Sequence, residues 1–277
     1  MVMLTLTALL VVPGLIVGLA ARLPLRLAVG TSIPVSAGII TIATYAYGRS
    51  GVLWSLGAYA VATAVTAVIV GLVGLLISGT LWFWRRRRGR DSDSRRSRPR
   101  RSWWWLLPAA SVVVSAWLIG QMILTELSAT PGGTANVFQG WDAHWHANYL
   151  RFIHDTGLAS PDQAGELRYP ENGATLYYPS TWHAVAALVM GLRGIGAVEA
   201  YNLVQIGTMA MAFPLGVAAL AWLITHRRFS RPAVATSAAV AAMATPLFPG
   251  LPFVEVMVAA TPSGVANGLA GLVAAVV

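Results

Sequence analysis

The side chains of this sequence able to handle a proton or an anion gather in one stretch. It runs Gly140-Trp-Asp-Ala-His-Trp-His-Ala-Asn-Tyr-Leu-Arg-Phe-Ile-His-Asp-Thr-Gly157. Trp145, Tyr149, Phe152 and Ile153 recur at helical spacing and Gly157 can close the helix, so the stretch reads as an amphipathic helix lying at a membrane face. On that helix Asp142 and His146 stand four residues apart and share a face, whereas His144 points elsewhere and Arg151 serves a different face. A carboxylate beside an imidazole can take the proton of an attacking hydroxyl, with the imidazole tuning its charge or holding the acceptor. The pair can also hold a divalent metal with a third ligand such as His183. The plainer alternative is that Asp142 caps the helix and His146 sits at the interface. Spacing alone leaves all three open.

A second cluster, Tyr177-Tyr178-Pro179-Ser180-Thr181-Trp182-His183, precedes a short apolar segment. Its rings suit an aromatic belt at a membrane surface, or a platform on which a sugar ring or polyprenyl chain could stack. Arg151 and Arg168 have the planar donors that meet a phosphate, and equally the charge to neutralise the acids around them.

The elements that must position these groups are set by lipid. Hydrophobic residues make up 56% of the 277-residue chain and charged residues 10%, with a mean hydropathy of +0.65. A soluble domain needs about a quarter of its residues charged. The absence of cysteine excludes disulfides, thiol catalysis and cysteine-ligated metals. Long apolar runs at residues 3–21, 27–47, within 52–84, 103–125, 201–225 and 232–247, with a last one from Gly264, predict an all-α polytopic membrane protein. About six or seven helices would span, joined by an external juxtamembrane helix and one short re-entrant or interfacial helix. That short segment is His183 to Leu192, a ten-residue run of a length more often re-entrant or interfacial than spanning; if it crossed, the basic cluster after the next span would lie outside. The last run ends at Val277 without a cap or polar tail, which predicts that the sequence is the N-terminal part of a longer protein.

Ten of the nineteen basic residues, all arginine, lie between Arg85 and Arg101. Trp82–Trp84 and Trp103–Trp105 bracket this run, as aromatic belts do at one interface, and the positive-inside bias then explains it without a nucleic-acid partner. The chain divides accordingly into a three-span region (1–84), an arginine-rich cytoplasmic loop (85–102) and a membrane region (103–277) with an external loop over 126–182. If residues 183–192 only dip into the membrane, the second basic cluster, His226 to Arg231, falls on the cytoplasmic side as well.

A span followed by an outer loop opening Trp-Asp-x-x-x-His at Trp141 to His146, then Tyr-Tyr-Pro-x-x-Trp-His at Tyr177 to His183 leading into a short apolar segment, resembles polytopic glycosyltransferases of the C-type fold. It is most similar to an actinobacterial family of multi-pass membrane proteins sharing that loop pattern. The resemblance covers about residues 103–225. It implies transfer of a sugar from a polyprenyl-phosphate donor on the outer face of a bacterial plasma membrane, with membrane lipids around it, during cell-envelope synthesis. Asp142 maps to the essential acid of the first outer loop, with His146 beside it, and Arg151, Tyr178, Trp182 and His183 become candidate substrate-binding residues. Many such enzymes carry a second acid two positions on, often tied to a divalent metal, and His144 stands there in this chain. The competing expectations are a transporter or flippase for a lipid-linked or small polar substrate, and a non-catalytic envelope-assembly protein. Glu199 and Glu255 near the later spans keep the transporter open, while the earlier spans hold no acid or histidine.

Overall fold

Helices build the protein because its apolar backbone has no water to satisfy it, and a helix closes its own hydrogen bonds. The computed structural model describes residues 1–87, 103–137 and 141–248, with side chains described over 1–77, 103–137 and 142–248. In chain order the helices are α1 (Val2–Ala20), α2 (Leu25–Gly30), α3 (Ser32–Ser50), α4 (Leu56–Arg87), α5 (Leu106–Ser128), α6 (Trp141–Thr156), α7 (Ala164–Arg168), α8 (Thr181–Arg193), α9 (Ala197–Thr225) and α10 (Arg231–Ala244). Short 3₁₀ turns precede α5 and α6 and follow α10. There is no strand among the described residues.

Among the described residues, four helical stretches are long and apolar enough to cross a membrane: Val2–Ala20, Leu56–Ile77, Trp103–Ser128 and Ala197–Thr225. Almost none of the α4 span is buried, and Val61, Val65, Val68, Ile69, Leu72 and Leu76 face outward. A monomeric soluble protein does not expose apolar surface on that scale, whereas lipid accepts it. α3 is as long as α1, but Ser32, Ser36, Thr41, Thr44 and Arg49 make it less apolar, and α10 is shorter. The arginine-rich loop beyond Arg87, the prolines from Pro249 to Pro262 with Glu255, and the run from Gly264 to Val277 lie outside the described residues.

α9 is the axis of the fold, buried continuously in its N-terminal half from Ala200 to Ala210. α1, α6 and α8 pack on one part of it, and α5 and α10 on another. The interruption at Pro13-Gly14 in α1 is satisfied by neighbours. Pro13 has no N–H for the Leu9 carbonyl, which instead accepts a hydrogen bond of 2.9 Å from the Tyr59 hydroxyl of α4. The Gly14 N–H donates to the Ser36 hydroxyl of α3 at 2.7 Å. A Cβ on Gly14 would collide with the Ser32 carbonyl oxygen, so only glycine lets α1 and α3 come this close.

The expected second span, residues 27–47, is corrected. The chain breaks at Thr31, separating the six-residue α2 from α3. Pro34 falls in the first turn of α3, where its missing N–H has no helical partner to lose.

α8 has 13 residues, which at about 1.5 Å each reach roughly 20 Å, short of a hydrocarbon core of about 30 Å. Its residues His183 to Val189 are buried among α1, α3, α6 and α9. The Trp54 indole donates to the Ala184 carbonyl at 3.0 Å, and Thr41 and Thr181 hydroxyls meet at 2.7 Å. The consequence is topological. Arg26, Trp104, Trp105, His226 and Arg231 line one cleft at a single end of the bundle. At the other end Arg49, closing α3, pairs with Asp162 of the long loop at 3.1 Å. The second basic cluster, His226 to Arg231, thus lies at the end opposite Arg49 and the long loop, while the side chains of the first, Arg85 to Arg101, lie outside the described residues.

Candidate functional site

α6 packs one face on α8 and α9, burying Ala143, His146, Ala147, Tyr149, Leu150 and Ile153. The amphipathic reading holds, but the apolar face meets protein. Gly157 ends the helix at φ +73°, a conformation few other residues adopt, and its N–H bonds the Ile153 carbonyl at 2.8 Å. Its own carbonyl accepts from Trp54 N–H at 2.8 Å, which ties the end of α6 to the start of α4.

Asp142, in the first turn of α6, keeps its side chain 44% exposed at the surface. Behind it the His146 ring is fully buried, with Nε2 3.3 Å from the Asp142 carboxylate. Behind that, His146 Nδ1 and His183 Nε2 are 2.9 Å apart, and His183 is also buried. Three titratable groups therefore run in line from surface to interior. Aromatic rings enclose them. Tyr201 stacks on His146 with centroids 5.9 Å apart, Trp182 meets both histidines edge-on, and Tyr149 lies 4.7 Å from His183. Tyr178 packs against Trp145, Tyr149 and both histidines.

Burial sets the protonation states. It holds His146 below the ordinary imidazole value, with Asp142 pulling the other way. Burial, reinforced by His146, holds His183 well below that value, against a weak upward pull from the Pro179 backbone. Both rings are neutral at neutral pH, and the two facing nitrogens then share a single proton. If His183 donates it, the other proton of His146 lies on Nε2 and points at an ionised Asp142. If His146 donates it, a bare Nε2 faces the carboxylate, and two acceptors can face each other only when Asp142 is protonated. The tautomers of the buried pair and the charge of Asp142 are coupled. The Asp142 contact is long, as such contacts often are before substrate tightens them.

The structure brings Asp142, His146, Tyr178, Trp182 and His183 together and leaves Arg151 apart. Arg151 is exposed, bonds Asp155 at 3.3 Å, and lines a separate cleft of about 380 Å³ with His144, Asn148 and Glu199. That cleft lies where α6 passes the α8–α9 turn. His183, expected to bind substrate, is 1% exposed and faces His146, so it cannot line an open surface. Among the described residues no three histidines or acids converge as a metal site: His183 Nε2 is aimed at His146, and His144 opens onto the second cleft. Tyr149 and Tyr201 were not expected as parts of the site. Tyr201 opens a span in sequence, and only its position four residues into α9 hints that it lies level with α6.

No curated protein and no solved structure matches the sequence. The model of one family covers residues 7–276, nearly the whole chain, and the protein therefore belongs to the family of unknown function DUF6541.

Proposed function

We propose that this protein is a multi-pass bacterial plasma-membrane glycosyltransferase that moves a sugar from a polyprenyl-phosphate donor at the outer face, with Asp142 as general base. α3 and α10 add to the four long apolar helices in this reading, giving about six spans. The observation that carries it is the line of Asp142, His146 and His183: one accessible carboxylate backed by two buried, neutral imidazoles. A capping aspartate needs no such backing. Burying two titratable rings is costly, and perturbed groups of this kind gather at functional sites.

The chemistry asked of the site is small. Asp142 removes the acceptor hydroxyl proton as its oxygen bonds to the anomeric carbon. The bond from that carbon to the phosphate oxygen breaks, and its electron pair leaves with the polyprenyl phosphate. His146 steadies the carboxylate, and His183 fixes which nitrogen of His146 carries the proton. Tyr178 and Trp182, half-buried at the rim, offer faces to a sugar ring. Arg151 belongs to the second cleft and stands outside this reading.

The test is sugar transfer from a polyprenyl-phosphate donor in membranes containing the full chain. Asp142→Asn keeps the shape but cannot take a proton, so transfer should be abolished at unchanged abundance. Near-normal turnover would overturn the assignment.

A further inference from the structure

At the arginine end of the bundle a cleft of about 210 Å³ opens between the start of α2, the turn before α5, the end of α9 and the start of α10. Arg26, His226 and Arg231 line it together with Trp104, Trp105 and Trp222, and none of its lining residues is an acid. Among the described residues none of these three basic side chains forms an ion pair. His226 Nδ1 donates to the Leu223 carbonyl at 2.7 Å, which leaves Nε2 for a ligand. We propose that this cleft binds the phosphate of an anionic bilayer phospholipid, such as phosphatidylglycerol or cardiolipin. The inference does not depend on the transferase reading.

Two features favour a lipid over a free anion. Leu25, Leu27, Leu106, Leu107, Leu223 and Ile224 are exposed on the helices flanking the cleft, an apolar surface for acyl chains just beyond a cationic mouth. Tryptophans settle at headgroup depth, where one edge of the ring is wet and the other apolar. Arginine suits the phosphate, because its planar fork gives two parallel hydrogen bonds and its hydration is weak. Basic clefts between membrane helices on the positive side are where such headgroups lodge.

The full chain in phosphatidylcholine nanodiscs supplies the test. Adding phosphatidylglycerol should raise its unfolding midpoint by about 2–4 °C. Arg26→Gln/Arg231→Gln should lose that rise and keep the midpoint in pure phosphatidylcholine. Arg227→Gln/Arg228→Gln removes the same charge outside the cleft and should keep the rise. An equal rise in the first variant, loss of the rise in the second, or an equal rise with inorganic phosphate would each overturn the site. A readout that needs no arginine variant is tryptophan quenching by brominated lipids. Brominated phosphatidylglycerol should quench the wild-type protein more than brominated phosphatidylcholine, and Trp104→Phe/Trp222→Phe should narrow the difference. Equal quenching by the two lipids would also overturn it.

Discussion

The two ends of the bundle handle charge in opposite ways. At the end carrying the long loop, the basic rings His146 and His183 are turned inward, stripped of water and enclosed by tyrosine and tryptophan. At the other end Arg26, His226, Arg227, Arg228 and Arg231 stay exposed, with tryptophans at the rim. Both ends are rich in aromatic rings and cationisable nitrogen, so composition does not separate them. Desolvation does. A buried imidazole loses its proton and becomes a relay whose tautomer matters, whereas an exposed guanidinium keeps its charge and recruits anions. The first arrangement suits proton chemistry and the second suits adhesion to a charged surface.

The sharpest way to break this comparison is to remove the one carboxylate that connects the buried rings to solvent. General bases contribute about a hundred- to ten-thousand-fold, so Asp142→Asn should lower transfer by that order. His146→Gln should be impaired as well, while His144→Gln, in the other cleft, should retain most activity. If His144→Gln were the more damaging of the two, the chemistry would belong to the cleft with Arg151 and Glu199.

A smaller effect tests the inner half of the line. His183→Ala leaves His146 Nδ1 buried without its partner, a loss of about 1–3 kcal/mol. Unfolding midpoints in detergent should fall by several degrees. Arg231→Ala, at the exposed end, should leave the midpoint within about a degree, since surface changes are worth within about 0.5 kcal/mol. Equal shifts would mean that the buried pair has no special part in the fold.

Acid sharpens the contrast further. Folding depresses both His146 and His183 below the ordinary value of about 6.5. Below that pH the unfolded chain binds more protons than the folded one. Their contribution is therefore complete above about pH 6.5 and is lost as pH falls through the depressed folded values. The midpoint should decline from pH 7 to pH 5, and decline less in His183→Gln, which deletes one of the two titrating groups. A wild-type protein that gains stability on acidification would contradict the neutral assignment.

How far the sequence anticipates this site follows from what each residue's neighbours are. Asp142 and His146 were legible because one helix fixes their relation, and Gly157 because few residues tolerate its φ. The short length of α8 was legible from rise per residue alone. The partnership of His146 with His183 was not, because it crosses 37 positions and depends on how α6 lands on α8. The surroundings of Arg151 were not legible for the same reason: its face is known from the periodicity, but not what that face meets. The break at Thr31 escaped because the apolar run continues through it, and only the close approach of α1 to α3 marks it.

The smallest perturbation tests the frame on which the comparison rests, namely that the two ends face opposite sides of the membrane. The chain has no cysteine, so single replacements can be read without background. Thr175, in the long loop, and Phe229, between α9 and α10, are both exposed and outside the helices. Neither substitution touches the buried core, so abundance and unfolding midpoint should hardly move. In intact cells an impermeant maleimide should label Thr175→Cys and spare Phe229→Cys, which should react only after the membrane is opened. The reasoning is geometric. In the proposed topology α8, at roughly 20 Å, is too short to cross and returns to the side from which it entered, so that α9 crosses once after it. Labelling of Phe229→Cys in intact cells would put both ends on one side. α8 would then have to span, and the contrast between the two ends could not be one between two sides of the membrane.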